Sequence, residues 1–355
     1  AMAGCHAWWP ASNFNMQQGG FFMDDAMIKK NANVYEMVDW RRIFRTDYWG
    51  LEMFADGQWT HKSFRPLTVL TFRLNYWWHT FDSVGFHVTN LSLHFVSSLL
   101  LGVYAHSGLG LPIDWSFLIA VLFWVHPVHT ESVLYIVGRA DLLCCVLVLL
   151  AALVYAPCAQ GHVGGLAQTI LRLLAVVGLL VAAGLCKETG FCFFGLVAGW
   201  ELLRLLLSSN GWRSYARLAR LSFLLMVGSL ACYMRCWYTA GTAIERMDPH
   251  SNPVAVEADM KVRILSYALV HGIYAKLLVL PTFLCYDYSL DAIPLVRTFD
   301  DVRLFLPVVT YLAFAQLVTC SLWALQPRWR AAVWPHGLDR GLTHEGPIVG
   351  VAVVI

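Results

Sequence analysis

The sequence has 355 residues, of which 58% are hydrophobic and only 14% are charged. A soluble domain carries about 25% charged residues, so this composition, with a mean hydropathy of +0.57, excludes an ordinary soluble protein and predicts a membrane protein. The net charge is only +2 and no long Lys/Arg block is present, which excludes a nucleic-acid-binding surface.

The apolar stretches predict an all-α, polytopic membrane protein with about seven spanning helices, because most approach the roughly 20 residues that a bilayer requires. The predicted spans are 86–105, 115–126, 140–157, 169–186, 190–207, 218–238 and 303–325. Residues 264–284 are also apolar, but His271 and Lys276 interrupt them and Pro281 ends them. We expect this stretch to lie in the interface or to re-enter rather than to cross.

The basic loop "NGWRSYARLAR" predicts the orientation. Arg213, Arg217 and Arg220 follow Arg204 with no acid among them, which is typical of a cytosolic loop. Counting back through the spans places residues 1–85 on the luminal or exoplasmic side. The predicted segments are a luminal 1–85, a helix bundle at 86–239, a luminal or interfacial 240–302, and a C-terminal helix with a tail at 303–355.

The ten cysteines form neither a CxxC motif nor a Cys/His pattern with zinc spacing. We interpret those in or beside apolar runs as small core residues. They are Cys144, Cys145, Cys186, Cys192, Cys232 and Cys236.

The strongest candidate for acid or base catalysis is the pair Asp24 and Asp25, which directly follows Phe21, Phe22 and Met23. A carboxylate at the mouth of an apolar site loses water, its pKa rises, and it can take a proton from a hydroxyl. Adjacent residues of an extended loop point in opposite directions, so one acid would face the reaction while the other binds or orients. The alternative is a helix N-cap.

His126, His129 and Glu131 resemble a metal-binding group, since the histidines are three residues apart. Pro127 disfavours a regular helix carrying both, and no third ligand follows at fixed spacing. Hydrogen bonding to substrate or phosphate, and simple packing, are the alternatives, and we expect no metal.

Four further cationic residues precede or follow apolar runs on the predicted luminal side. Arg139 with Asp141 suggests either a buried ion pair or a phosphate clamp braced by the carboxylate. Lys187, beside Glu188, either snorkels or presents a charge to an anionic headgroup. Arg65, and Arg73 eight residues later, lie on an amphipathic segment where an interfacial and a substrate-binding role are equally supported.

Several long motifs in register resemble the membrane half of the transmembrane and TPR-repeat-containing (TMTC) protein O-mannosyltransferases. The resemblance covers about residues 20–325. Its motifs are "DD", "HKSFRPLTVLTFRLNYW", "GFHVTNLSLHF", "HPVHTESVLYIVGRADLL", "KETG" and "NPVAVEADMKVRILSYALVHGIYAKLLVLPTFLCYDYSLDAIPLV".

The resemblance implies a GT-C glycosyltransferase fold in the endoplasmic reticulum membrane, with the active side luminal. Such enzymes transfer mannose from dolichyl phosphate mannose to Ser/Thr hydroxyls of secretory-pathway proteins, cadherin-type domains among them. The lipid donor, the protein acceptor and other membrane subunits are the implied partners, and no cofactor is implied. The catalytic base in the first luminal loop would match Asp24 or Asp25. Phe21, Phe22 and Met23 would then end a first span or anchor the loop to the membrane.

The sequence also departs from the family pattern. It has no span or signal segment before residue 19, it ends at "PIVGVAVVI", which resembles a span cut short, and it has no TPR array. We therefore expect a piece of a longer polypeptide. A catalytically silent structural membrane subunit is the alternative function, and a transporter is the third, although inverted repeats and mid-membrane charges are not evident.

Overall fold

A computed structural model describes most of the chain. The described residues are 20–21, 23–36, 39–55, 60–161, 164–206, 211–239, 252–285, 288 and 292–324. Within them the regular elements are helices. The α-helices are α1 (Ala26–Lys30), α2 (Ala32–Tyr35), α3 (Pro66–His79), α4 (Ser83–Val103), α5 (Ile113–Val125), α6 (Thr130–Leu134), α7 (Arg139–Gln160), α8 (Leu166–Cys186), α9 (Cys192–Leu206), α10 (Gly211–Tyr238), α11 (Pro253–Val256), α12 (Met260–Val279) and α13 (Phe305–Ala324).

The predicted fold class, an all-α polytopic membrane protein, is confirmed. Six helical segments of the described chain are long and apolar enough to cross a bilayer. They are Ser83–Gly108, Ile136–Gln160, Leu166–Cys186, Tyr215–Tyr238, Met260–Val279 and Val302–Cys320.

Two of the predicted spans belong to helices that are shorter than the roughly 20 residues of a straight span. The stretch predicted at 115–126 is α5, which ends at Val125 and continues after Pro127 into Pro127–Leu134 at an angle of 46°. Pro127 has no backbone N–H and its ring obstructs the preceding turn, so a straight helix cannot continue through it. The stretch predicted at 190–207 is α9, with only 15 residues, which follows a 3₁₀ turn at Glu188–Phe191.

The basic loop is also more helical than predicted. Residues 211–238 form the single helix α10. Arg204, Arg217 and Arg220 lie in helices and are buried, with 3%, 9% and 6% of their surface exposed. They are therefore part of the bundle rather than of a solvated loop.

Two layers of polar contacts mark opposite ends of the bundle formed by α4 to α10. One layer, which we call the Asp25 face, lies where α7 and α9 begin and where α8 and α10 end; it contains Asp25, Arg139, Lys187, Glu188 and Arg235. The other layer, the Glu201 face, joins Tyr155 of α7, Glu201 of α9 and Arg220 of α10. The helices α7 to α10 therefore alternate in direction along the chain, as a membrane bundle with short connections requires.

The residues before α4 form a compact cap on the Asp25 face. Its hydrophobic cluster consists of Ile28, Val34, Ile43, Tyr48, Val69, Phe72, Phe86 and Ile136. Phe21 packs edge-on against Phe81 and Phe86, with ring centroids 5.9 and 5.2 Å away. Phe21 is thus packed against aromatic side chains at this face, and its role as a membrane anchor stays a prediction. Phe22 lies outside the described residues.

The cysteine prediction is half right. Cys144 and Cys186 are buried and Cys145 is half-buried, as expected of small core residues. Cys192, Cys232 and Cys236 are exposed instead. An amphipathic helix has an outward stripe, and in a membrane bundle that stripe is apolar too, so hydropathy does not separate core from surface.

The pair α12 and α13 pack closely on each other. A Cβ added at Gly272 would lie 2.7 Å from the backbone nitrogen of Pro307, and the Nδ1 atom of His271 lies 2.8 Å from the Tyr311 hydroxyl. A hydrogen bond between His126 and the Leu278 carbonyl connects the C-terminal end of α12 to the bundle. The helix α12 is unbroken and long enough to span a bilayer. Length alone does not show whether it crosses, so the interfacial interpretation of residues 264–284 stays a prediction.

Cysteine labelling in sealed microsomes tests whether α12 crosses. In a chain whose other cysteines are replaced, we expect Ala258→Cys and the native Cys285, which lie before and after α12 and are both exposed, to react with an impermeant maleimide only after the membrane is opened. Reaction of only one of the two in intact vesicles would mean that α12 crosses, because its two ends would then lie on opposite sides.

Candidate functional site

The carboxylate of Asp25 is fixed by the turn that precedes α7. Asp25 is 1% exposed, and its two oxygens accept the backbone N–H groups of Ile136 and Val137 at 3.1 and 2.8 Å. Its side chain makes no cap to α1, although Asp25 occupies the N-cap position. The N-cap alternative is therefore wrong for this residue, because its oxygens are committed to a segment more than a hundred residues away.

Asp24, by contrast, is exposed. Its backbone N–H donates to the Tyr135 hydroxyl oxygen at 3.0 Å, which places that hydroxyl beside the Asp24 carboxylate. Burial raises the pKa of Tyr135 to about 12, so its hydroxyl stays protonated at neutral pH and can donate to that carboxylate. The pair consequently divides into one buried, anchored acid and one acid that faces solvent.

Arg139 occupies the centre of the layer beneath the acids. It is fully buried, and its guanidinium donates to the Asn90 side-chain oxygen at 2.8 Å and to the Phe86 carbonyl at 3.0 Å. Further donors reach the Asn75 side-chain oxygen and the Thr71 carbonyl. All three guanidinium nitrogens therefore bind acceptors of α3 and α4.

Asn90 links Arg139 to the turn that holds Asp25. Its amide group donates to the carbonyls of Tyr135 and Ile136 at 3.2 and 3.4 Å. Because the Ile136 N–H in turn binds Asp25, a continuous series of hydrogen bonds runs from Arg139 to the acid pair. Arg139 thus connects α3 and α4 to the loop that holds the acid pair.

The predicted pairing of Arg139 with Asp141 is wrong. Asp141 accepts from Lys187 Nζ with both oxygens, at 2.5 and 2.6 Å, while Arg139 points into the core. Residues two apart at the start of a helix point in different directions, so Asp141 faces the end of α8 and Arg139 faces α3 and α4.

The second ion-pair group at this face has Glu188 at its centre. Arg65 donates to one Glu188 oxygen at 2.9 Å and Arg235 to the other at 3.3 Å. The Arg65 guanidinium also lies 5.0 Å from the centre of the Tyr48 ring. Arg65 and Lys187 remain partly exposed, with 21% and 26% of their side-chain surface accessible, so both cations border the solvent at this face.

The two histidines belong to a different group of contacts. His126 Nδ1 accepts the Val128 N–H at 3.2 Å, and its Nε2 lies 3.0 Å from the Leu278 carbonyl, so Nε2 carries the proton and both nitrogens are used. His129 packs on Phe123 with ring centroids 4.2 Å apart. Glu131 is exposed on α6.

The structure brings only some of these candidate residues together. Asp25 and Arg139 meet through Asn90 and the 135–138 turn, and Lys187, Glu188 and Arg65 share the Asp25 face. The histidines are engaged elsewhere. Among the described residues no three His, Cys, Asp or Glu side chains are grouped so as to hold a metal.

Sequence reasoning missed Tyr135, Asn90 and Arg235. Tyr135 lies within a motif already quoted for the resemblance, four residues before Arg139, and its polar hydroxyl in an apolar run was a usable signal. Asn90 and Arg235 carried a similar one, since a polar side chain inside a span needs a partner.

Taken together, the fold and the site define a multi-pass helical membrane protein. One end of its bundle carries an exposed carboxylate, a buried carboxylate held by backbone N–H groups, and two partly exposed cations. Residues 243–315 match the family model described as Protein O-mannosyl-transferase TMTC, DUF1736. No solved structure matches the chain.

Curated relatives match over most of the chain. Protein O-mannosyl-transferase TMTC4 of Mus musculus is 32% identical over 86% of this chain and 45% of its own length. Protein O-mannosyl-transferase Tmtc3 of Drosophila melanogaster is 33% identical over 86% of this chain and 38% of its own length. The chain belongs to the TMTC family, and it spans less than half the length of these relatives.

Proposed function

We propose that this chain carries the membrane-embedded catalytic half of a protein O-mannosyltransferase of the endoplasmic reticulum. The donor is dolichyl phosphate mannose and the acceptor is a Ser or Thr hydroxyl of a secretory-pathway protein, with the Asp25 face on the luminal side. Family membership supports the reaction class. The observation that carries the site assignment is the contrast between Asp24 and Asp25.

Asp24 is the general base in this proposal. A base must reach the proton of an incoming hydroxyl within about 3 Å, and the exposed Asp24 carboxylate is open to such an approach. Asp25 cannot serve, because it is 1% exposed and both of its oxygens accept backbone N–H groups. Asp25 instead holds the loop so that Asp24 keeps its position.

The reaction is a single displacement at the anomeric carbon of mannose. Asp24 takes the proton of the acceptor hydroxyl while the oxygen of that hydroxyl forms a bond to the anomeric carbon. The bond from that carbon to the phosphate oxygen breaks, and its electron pair leaves with dolichyl phosphate. The proton transfer uses a carboxylate and calls on no metal ion.

The donor phosphate is bound by Arg65 and Lys187 in this proposal, and not by Arg139. Both groups are partly exposed on the Asp25 face, and both are paired with carboxylates, Glu188 and Asp141, that hold them in place. An arginine fork suits phosphate geometry and a lysine acts as a point charge. Arg139 has all three nitrogens occupied inside the bundle.

Transfer of radiolabelled mannose by the full-length protein in detergent tests the proposal. The reaction contains dolichyl phosphate mannose and a purified acceptor domain with Ser and Thr on its surface, and label is counted on the protein. We expect transfer that depends on both components. A folded protein that binds the donor but transfers nothing to any Ser/Thr-bearing domain of the secretory pathway would favour the structural subunit instead.

A further inference from the structure

A cavity of about 690 Å³ lies at the Glu201 face, at the opposite end of the bundle from the acids. It lies between the N-terminal halves of α8 and α10, and Gly161 and Gly164 border it. Its volume is within the range of small-ligand sites. Its apolar lining consists of Leu166, Ile170, Leu173, Leu174, Ala216, Ala219 and Phe223.

The polar part of the lining is cationic. Arg217 and Arg220 both face the cavity. Arg220 is neutralised by Glu201, to whose two oxygens it donates at 3.1 and 3.2 Å. Arg217 is different: it is only 9% exposed, and its Nη1 atom has no hydrogen-bond partner in the described part of the chain. A buried guanidinium donor without an acceptor is costly, so Nη1 is available to an added acceptor at this place in the described structure.

The charge at this face is complementary to an anion. Arg217 and Arg220 both lie on α10 at this face, and the Glu201 carboxylate pairs with Arg220. Arg217 contributes a positive charge that no described ion pair offsets, and this charge favours an anionic ligand.

The position of the cavity indicates what kind of anion. The helices on either side, Leu166–Cys186 and Tyr215–Tyr238, are both candidate spans, so acyl chains of a bilayer that they cross would border the groove between them. Ile170 and Leu174, which line it, are 48% and 57% exposed on the outer surface of α8. An anionic head next to an apolar groove that continues along a span matches a lipid better than a water-soluble anion.

We propose that this cavity is a binding site for a glycerophospholipid with a net negative headgroup. The phosphate of the lipid accepts from Arg217, and the part of the acyl chain next to the headgroup lies between α8 and α10. It is separate from the proposed donor site, because the Glu201 face and the Asp25 face are at opposite ends of the bundle. Occupancy would join α8 to the start of α10 and stabilise the folded chain, as any ligand selective for the native state does.

Thermal unfolding of the full chain in detergent tests this site, with dioctanoyl phosphatidylglycerol as the probe. We expect the melting temperature to rise with lipid concentration and to saturate, while dioctanoyl phosphatidylcholine and inorganic phosphate leave it unchanged. Arg217→Gln removes the charge but breaks no contact that the structure describes, so it should fold and should weaken the apparent affinity about tenfold or more.

Two further variants keep the test decisive. Ala219→Phe fills the apolar part of the groove and leaves both arginines in place, so it should weaken binding of phosphatidylglycerol as well. Arg41→Gln, an exposed arginine of the cap, is the matched control and should bind as wild type. Equal stabilisation by both lipids, equal protection by inorganic phosphate alone, or unchanged affinity in Arg217→Gln and Ala219→Phe would each overturn the proposal.

Discussion

Asp24→Asn is expected to lower mannose transfer by about 10²- to 10⁴-fold, the usual loss when a general base is removed. The substitution keeps the shape of the side chain, and Asp24 is exposed, so the melting temperature and the affinity for the donor should match wild type. The loss should therefore appear in kcat, with the KM for the donor unchanged. Glu36→Gln, which neutralises another exposed acid of the cap, is the control and should be fully active.

Asp25→Asn should behave in a different way, because an asparagine offers only one acceptor oxygen to the two N–H groups that Asp25 now satisfies. We expect a lower melting temperature together with lower transfer, since an unsatisfied buried N–H costs about 1 to 3 kcal/mol. Full transfer by Asp24→Asn with loss confined to a stable Asp25→Asn would reverse the two roles. Equal transfer rates in wild type and both variants would exclude both acids as the general base.

Arg139→Ala is expected to destabilise the chain by about 3 to 5 kcal/mol, in the range measured when one partner of a buried polar pair is removed. The change leaves a cavity and deprives Asn90, Asn75 and the Phe86 carbonyl of their donor. The measurement is the melting temperature in detergent, followed by donor binding by the protein that remains folded.

Two comparisons separate the positioning role of Arg139 from a direct contact with the donor. Arg139→Lys keeps the charge but cannot reach acceptors on both α3 and α4, so it too should be unstable. Arg41→Ala, an exposed arginine, should change stability by less than about 0.5 kcal/mol. An Arg139→Ala protein with wild-type melting temperature and no donor binding would restore the phosphate clamp that the sequence suggested.

The sequence predicted the helical class and most of the spans, because the thickness of a bilayer sets the length of the apolar stretch that crosses it. That length can be counted along the sequence. The sequence also singled out the acid pair. It could not tell Asp24 from Asp25, since the difference lies in two N–H groups from residues 136 and 137, far along the chain. Contacts at such separations depend on how helices pack, and no local pattern encodes them.

The wrong partner for Asp141 has the same origin. Arg139 is its neighbour in sequence, and proximity in sequence suggested an ion pair, whereas Lys187 reaches it from the end of α8. The broken helix at Pro127 was different, because the proline was visible and the rule that it ends a helix was already applied to the histidines beside it. The error there lay in counting the short run before the proline as a complete span, when the helix resumes beyond the proline at an angle of 46°.

The separation of the two polar layers has a consequence for the lipids around the protein. From Arg139 to Tyr155 along α7, from Glu188 to Glu201 along α9, and from Arg220 to Arg235 along α10, a rise of 1.5 Å per residue gives about 20 to 24 Å. In the endoplasmic reticulum membrane that we propose for this chain, the hydrocarbon is about 27 Å thick. Acyl chains that adjoin these helices would then shorten by tilting or disordering, and the bilayer surface would dip toward the first turn of α7, near Asp24.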